Sequence, residues 1–80
     1  MSIMDRLEFL KNIGLKVKKA RESKGFAQVD LAVKMQGKID VTNISRIESG
    51  RTNPTIFTLF RIAEALDISI TELLNEPNHQ

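Results

Sequence analysis

The stretch VTNISRIESGRTN, residues 41–53, concentrates the side chains best suited to chemistry in this chain. It holds hydroxyls, amides and guanidinium groups, and no nucleophile beside a base. That chemistry is hydrogen bonding, not bond making. With Ile44 and Ile47 facing a core, a helical period turns Val41, Thr42, Ser45 and Arg46 outward. Asn43 stands at the border of this face, and Ser49 lies further along it. Short side chains let a helix approach base edges closely. Valine and threonine methyls can meet a thymine methyl, a threonine hydroxyl pairs with several bases, and Arg46 can reach a guanine O6/N7 pair or a phosphate. Ser49, Arg51, Thr52 and Asn53 then supply donors for phosphate oxygens. Gln28 can do the same beside the free N–H groups that open an earlier helical segment. An ordinary solvated helix face would carry the same residue types, so the surrounding pattern has to separate the two readings.

The composition narrows the alternatives. Eighty residues make one domain at most. A chain of this size buries only about 60% of its unfolded surface, so its stability margin is thin. It has no cysteine, hence no disulfide and no thiolate metal site, and its only histidine, His79, sits in the tail. The acids form no paired set with a nucleophile, and no glycine-rich phosphate loop is present. No enzyme, metal or cofactor is expected. No apolar run approaches the roughly 20 residues that span a bilayer, and no signal peptide is visible, so a soluble cytoplasmic protein is expected. The net charge of +2 is unevenly spread. Up to Arg61 there are twelve basic residues against six acids, about +6, and beyond it four acids and no base. A basic body and an acidic end fit a polyanion partner, although a solvated charged surface gives the same count.

Five helices are needed to position these groups. Leu7, Leu10, Ile13, Val17 and Ala20 follow three- and four-residue steps and predict a helix that ends near Lys24 and Gly25. Ser2 and Asp5 read as its N-terminal box, and Gly14 allows two shorter helices in its place. Gln28–Met35 predicts a second helix with Leu31, Ala32 and Met35 inward. Ala27 stands where a capping hydroxyl or carboxylate is expected, at a cost of about 1 kcal/mol. Gln36-Gly37-Lys38 reads as a turn. Asp40 caps a third helix, Val41–Ser49, which Gly50 ends. Pro54 keeps Asn53 out of a helix. Thr55 caps a fourth, with Ile56, Leu59, Ile62, Ala63 and Leu66 on its core face. Ser69 and Glu72 form a capping box for a short fifth helix that ends before Pro77, and Ile68 and Leu73 have staple spacing. The expected class is all-α, with the second and third helices as a helix-turn-helix.

GFAQVDLA, TNISRIESGRTNPT and LFRIAEALDISITELL, in that order, resemble the phage-repressor and Cro type (XRE family) of helix-turn-helix DNA-binding domain. The resemblance covers about residues 13–75, with an N-terminal extension at 1–12 that lengthens helix one or forms an arm, and a tail at 76–80. It implies a compact five-helix, lambda-repressor-like bundle that binds operator DNA as a two-fold dimer. Gln28 matches a phosphate-contacting glutamine. Val41, Thr42 and Arg46 match the main base-reading positions, flanked by Asn43 and Ser45. Ser49, Arg51 and Thr52 match backbone contacts, and Arg21 and Glu48 match an internal ion pair between helices one and three. The chain departs from the family pattern at Ala27. Its turn between Met35 and Asp40 is also about two residues longer than the common form, which leaves the tilt of helix three open.

Two reading heads about 34 Å apart would fit successive major grooves, so a homodimer interface is expected. Phe57, Phe60, Ile70 and Leu74 are one candidate patch, with Phe57 expected to be exposed and Phe60 expected to finish the core. Leu7, Phe9 and Leu10 are a second. The rival reading is a helical module that holds a protein partner, as an antitoxin or adaptor does.

Overall fold

The computed structural model describes residues 5–75, in which five helices and no strand occur. The first, α1, spans Arg6–Ser23. The Asp5 carboxylate accepts from the Glu8 amide at 2.8 Å, so the helix is capped at Asp5. The box expected at Ser2 is not what caps it, and Ser2 lies outside the described residues. Gly14 does not divide α1. A Cβ there would stand 2.5 Å from the carbonyl oxygen of Glu48 and would also overlap that of Ile47. The missing side chain is what lets α1 cross closely over the end of the third helix. A glycine inside a helix costs about 0.5–1 kcal/mol, and here that cost accompanies a contact no other residue permits. Past the end of α1, Gly25 takes φ +78 and the Phe26 amide donates back to the Arg21 carbonyl at 3.2 Å.

The second helix, α2, is Gln28–Lys34, and Ala27 indeed offers it no side-chain acceptor. Half of a capping box survives: the Asp30 carboxylate accepts from the Ala27 amide at 2.7 Å. Leu31 and Met35 are buried beneath it. The following turn is left-handed at two successive residues, Gln36 (φ 57) and Gly37 (φ 76). It then returns Ile39 to the core, a buried residue that helical periodicity does not detect because it lies between helices.

The third helix, α3, is Val41–Glu48, with the Asp40 carboxylate accepting from the Asn43 amide at 2.8 Å. Ile44 and Ile47 fill the centre of the molecule together with Val17, Leu31 and Ile62. The fourth, α4, is Ile56–Ala65, capped by the Thr55 hydroxyl on the Thr58 amide at 3.0 Å. Leu59, Ile62, Ala63 and Leu66 form its buried face. Two expectations fail on this helix. Ile56 is 63% exposed, because it precedes the first packed turn and sits at the rim of a groove with Phe9 and Leu74. Phe60 is 46% exposed and does not complete the core. It shares the outer side with Phe57, three residues earlier, and the two rings stack with centroids 6.2 Å apart.

The fifth helix, α5, is the single turn Thr71–Leu74. The Glu72 carboxylate accepts from the Ser69 amide at 3.4 Å, but the Ser69 hydroxyl accepts from Thr71, not from Glu72. Leu73 is buried, while Ile68 and Ile70 pack at the margin of the core. Pro77 and His79 lie outside the described residues.

Candidate nucleic-acid interface

The pairing of α2 with α3 across the Met35–Asp40 turn sets the geometry of this surface. Ile44 and Ile47 hold α3 inward, so the other side of the helix is presented to solvent. Val41, Thr42 and Arg46 are exposed there, and Asn43 and Ser45 are half-buried. Asn43 turns from the centre of the face into a cleft with Lys38, Phe57 and Arg61. Among the described residues, the Thr42 and Arg46 side chains are in no hydrogen bond or ion pair, so their donors are available to a ligand.

Beyond α3, Gly50 (φ +78) turns the chain into the loop that carries the remaining donors. The Arg51 Nε donates to the Ser49 hydroxyl at 2.8 Å, and that hydroxyl donates to the Arg46 carbonyl at 3.2 Å. Ser49 therefore holds Arg51 through Nε, and among the described residues both terminal guanidinium nitrogens are in no hydrogen bond. Asn53 is exposed and Thr52 half-buried beside them.

Behind this surface lies a polar cluster. The Arg21 guanidinium and the Glu48 carboxylate are both buried and meet through two bonds, 2.7 Å from Nε and 3.0 Å from Nη2. Nη1 of Arg21 donates to the Phe26 carbonyl at 2.6 Å. The hydrogen bonds to Glu48, reinforced by its charge, hold the Arg21 pKa above its ordinary value, against the effect of burial. A raised pKa stabilises the fold fully below the unfolded value and is lost only as pH passes the folded one. Arg21 is therefore charged across the whole neutral range. A buried charge is costly unless it is paired and hydrogen-bonded, and here no buried side-chain polar atom among the described residues lacks a partner.

Gln28 joins the same cluster. Its amide nitrogen donates to Glu48 Oε1 at 3.0 Å, which sequence reasoning did not foresee. The two residues are 20 positions apart, and no local pattern connects them. The bond ties the first residue of α2 to the last of α3. A side-chain amide carries two protons, so the second remains for an outside acceptor.

The model of the helix-turn-helix family (HTH_3) matches residues 17–73, which include the whole of this arrangement. The chain belongs to the helix-turn-helix family. Within it, the chain is 32% identical over 68 residues to the HTH-type transcriptional regulator y4dJ of Sinorhizobium fredii, covering 85% of this chain and 86% of that one. Among solved structures, an HTH_3 family transcriptional regulator of Vibrio cholerae superimposes with a TM-score of 0.78 at 28% identity, over 86% of this chain. The match covers only 38% of that regulator, so this helix-turn-helix chain spans well under half its length. The restriction-modification controller protein C.Esp1396I, solved as a tetramer in complex with its natural 35 base-pair operator, superimposes with a TM-score of 0.70. It is 36% identical, over 84% of this chain and 96% of that one. Among the described residues of the helix-turn-helix chain, no helix is long and apolar enough to cross a membrane.

Proposed function

We propose that this chain is a sequence-specific double-stranded DNA-binding protein that acts as a small transcriptional regulator, reading the major groove with α3 as a homodimer. One observation carries the reading most directly: an exposed, unpaired Thr42 and Arg46 on a helix whose opposite side is locked to α1 and α2. Val41, Thr42, Asn43, Ser45 and Arg46 are assigned to base edges. Gln28, Ser49, Arg51, Thr52 and Asn53 are assigned to phosphates. The working domain is 13–75, with 1–12 as an extension and 76–80 as a tail. A cytoplasmic, non-enzymatic role follows from the same reading. For the dimer, the exposed Phe57, Phe60 and Leu74 are the proposed contacts, and Ile70 supports them from the core margin.

Selection of binding sites from a random duplex library at near-physiological salt tests this. Two related half-sites in inverted orientation, about one helical turn apart, are expected. On the selected site Arg46→Ala is expected to weaken binding by about 1–3 kcal/mol while sparing random DNA. An equal loss on both would move Arg46 to the backbone set. A folded sample that enriches no site would remove the reading. The second reading, a module that holds a protein partner, is favoured by the same open apolar face of α4. It requires indifference to changes at both Thr42 and Arg51.

A further inference from the structure

We infer that Arg6 and Lys11, on the first turns of α1, form with Arg51 an additional phosphate-binding subsite, so that helix one contributes to the grip on the DNA backbone. The inference deepens the DNA-binding reading and rests on it.

A groove lies between the start of α1 and the loop after α3. Arg6, Lys11, Ser49, Arg51, Thr52 and Asn53 line it, over a floor that includes Leu10. Its three ionisable side chains are all cations, and no acid lines it. All three are exposed, and none is in an ion pair among the described residues. Three cations on one groove with no ion pair among the described residues are a feature that an anion would complete.

Gly50 makes the juxtaposition possible. A Cβ at this position would stand 2.7 Å from Lys11 Cγ and 2.9 Å from Lys11 Cα. The loop therefore rests directly on α1 at Lys11. The lysine stem lies against the loop backbone, and the exposed side chain lines the same groove as Ser49, Arg51, Thr52 and Asn53. Each strand of duplex DNA carries one phosphate for every 3.4 Å or so of helix axis, so cations spread along one groove can meet successive phosphates of a strand already held by Arg51. Neither Arg6 nor Lys11 stands out by sequence pattern, because Lys11 and Arg51 are brought together only by the crossing of α1 and α3.

Counterion release gives the test, because each neutralised phosphate adds about 0.9 to the slope of log affinity against log salt. Binding of the full chain to a selected site and to a random duplex is measured by fluorescence anisotropy from 50 to 300 mM KCl. Lys11→Gln and Arg6→Gln are each expected to lower the slope by about 0.9 on both duplexes, and base preference is expected to persist. Lys11→Arg keeps the slope. Lys19→Gln, on an exposed face of the same helix about 12 Å along its axis, serves as the control and leaves it unchanged. Circular dichroism melting is expected to match the parent for all variants. An unchanged slope in Lys11→Gln and Arg6→Gln overturns the inference. So does an equal loss in Lys19→Gln, which would mean a diffuse field and not a site. Failure of the parent chain to bind any duplex is a different result, and it removes the DNA reading itself.

Discussion

At the crossing of α1 over α3, apolar and polar groups are both closed. Val17, Ile44 and Ile47 are buried, the Arg21–Glu48 pair is joined by two hydrogen bonds and held by others to the Phe26 carbonyl and from Gln28, and a Cβ at Gly14 would overlap two carbonyls. The outer face of α4 is the reverse. Ile56, Phe57 and Phe60 are 63%, 61% and 46% exposed; the two rings stack on each other, and the Arg61 guanidinium lies 5.7 Å from the centre of the Phe57 ring. An 80-residue chain has little apolar surface to spare, so leaving two phenylalanines open is informative. The first region is finished by the chain itself. The second is left open, and a second copy is the proposed occupant.

The contrast can be broken most severely at Glu48. Glu48→Ala would leave Arg21 buried without its partner, and a loss of about 3–5 kcal/mol is expected in urea unfolding. A loss below 1 kcal/mol would show that water reaches the site and that the crossing is not closed. Next, Gly14→Ala drives a methyl into two backbone carbonyls that have no rotamer to change. The expected cost is about 1–3 kcal/mol, by the same measurement. A neutral or stabilising result, as helix propensity alone would give, would mean that α1 lifts off α3 without penalty.

A smaller effect is expected at Ala27. Its backbone already has the extended conformation of an N-cap, so the hydroxyl of Ala27→Ser needs only to accept from the Asp30 backbone amide to complete the box. A gain of about 1 kcal/mol in thermal or urea unfolding is expected, and no gain would mean that the hydroxyl prefers solvent. The smallest effect on stability belongs to the other region. Phe57→Ser with Phe60→Ser is expected to change monomer stability by less than about 1 kcal/mol. Self-association in sedimentation equilibrium should weaken by about tenfold or more. Unchanged association would detach this face from the dimer.

Much of the fold was legible in the sequence because its signals are local. Asp40 and Thr55 cap the helices they precede, and Ile44 and Ile47 declare the inner side of α3 within a single turn. What was not legible depends on a second element. Gly14 reads as a weak point within its own helix, and only the carbonyls of α3 explain it. Periodicity groups Ile56 with the buried residues of α4 but does not say where packing begins. Phe60 falls on an apolar side whether that side meets the core or another molecule. At the candidate site, the outward residues of α3 followed from its period, whereas the bond from Gln28 to Glu48 needed the tertiary structure. The Arg21–Glu48 pair, 27 positions apart, was suggested by family resemblance and by no spacing rule.

That pair has a mechanical consequence. Apolar contacts of the kind Ile44 and Ile47 make are non-directional and leave a cylinder free to roll by several degrees. A guanidinium set across a carboxylate is planar and directional, and it does not tolerate such rolling. Glu48 therefore works as a key in a shaft, fixing the angle at which α3 is seated against its hub. Thr42, six residues away and about 9 Å up the axis, inherits that angle. Replacing the pair with an apolar one, Arg21→Met with Glu48→Leu, would keep the shaft in its bearing but remove the key. Such a molecule is expected to fold and to hold DNA, yet to read it with a blurred alphabet.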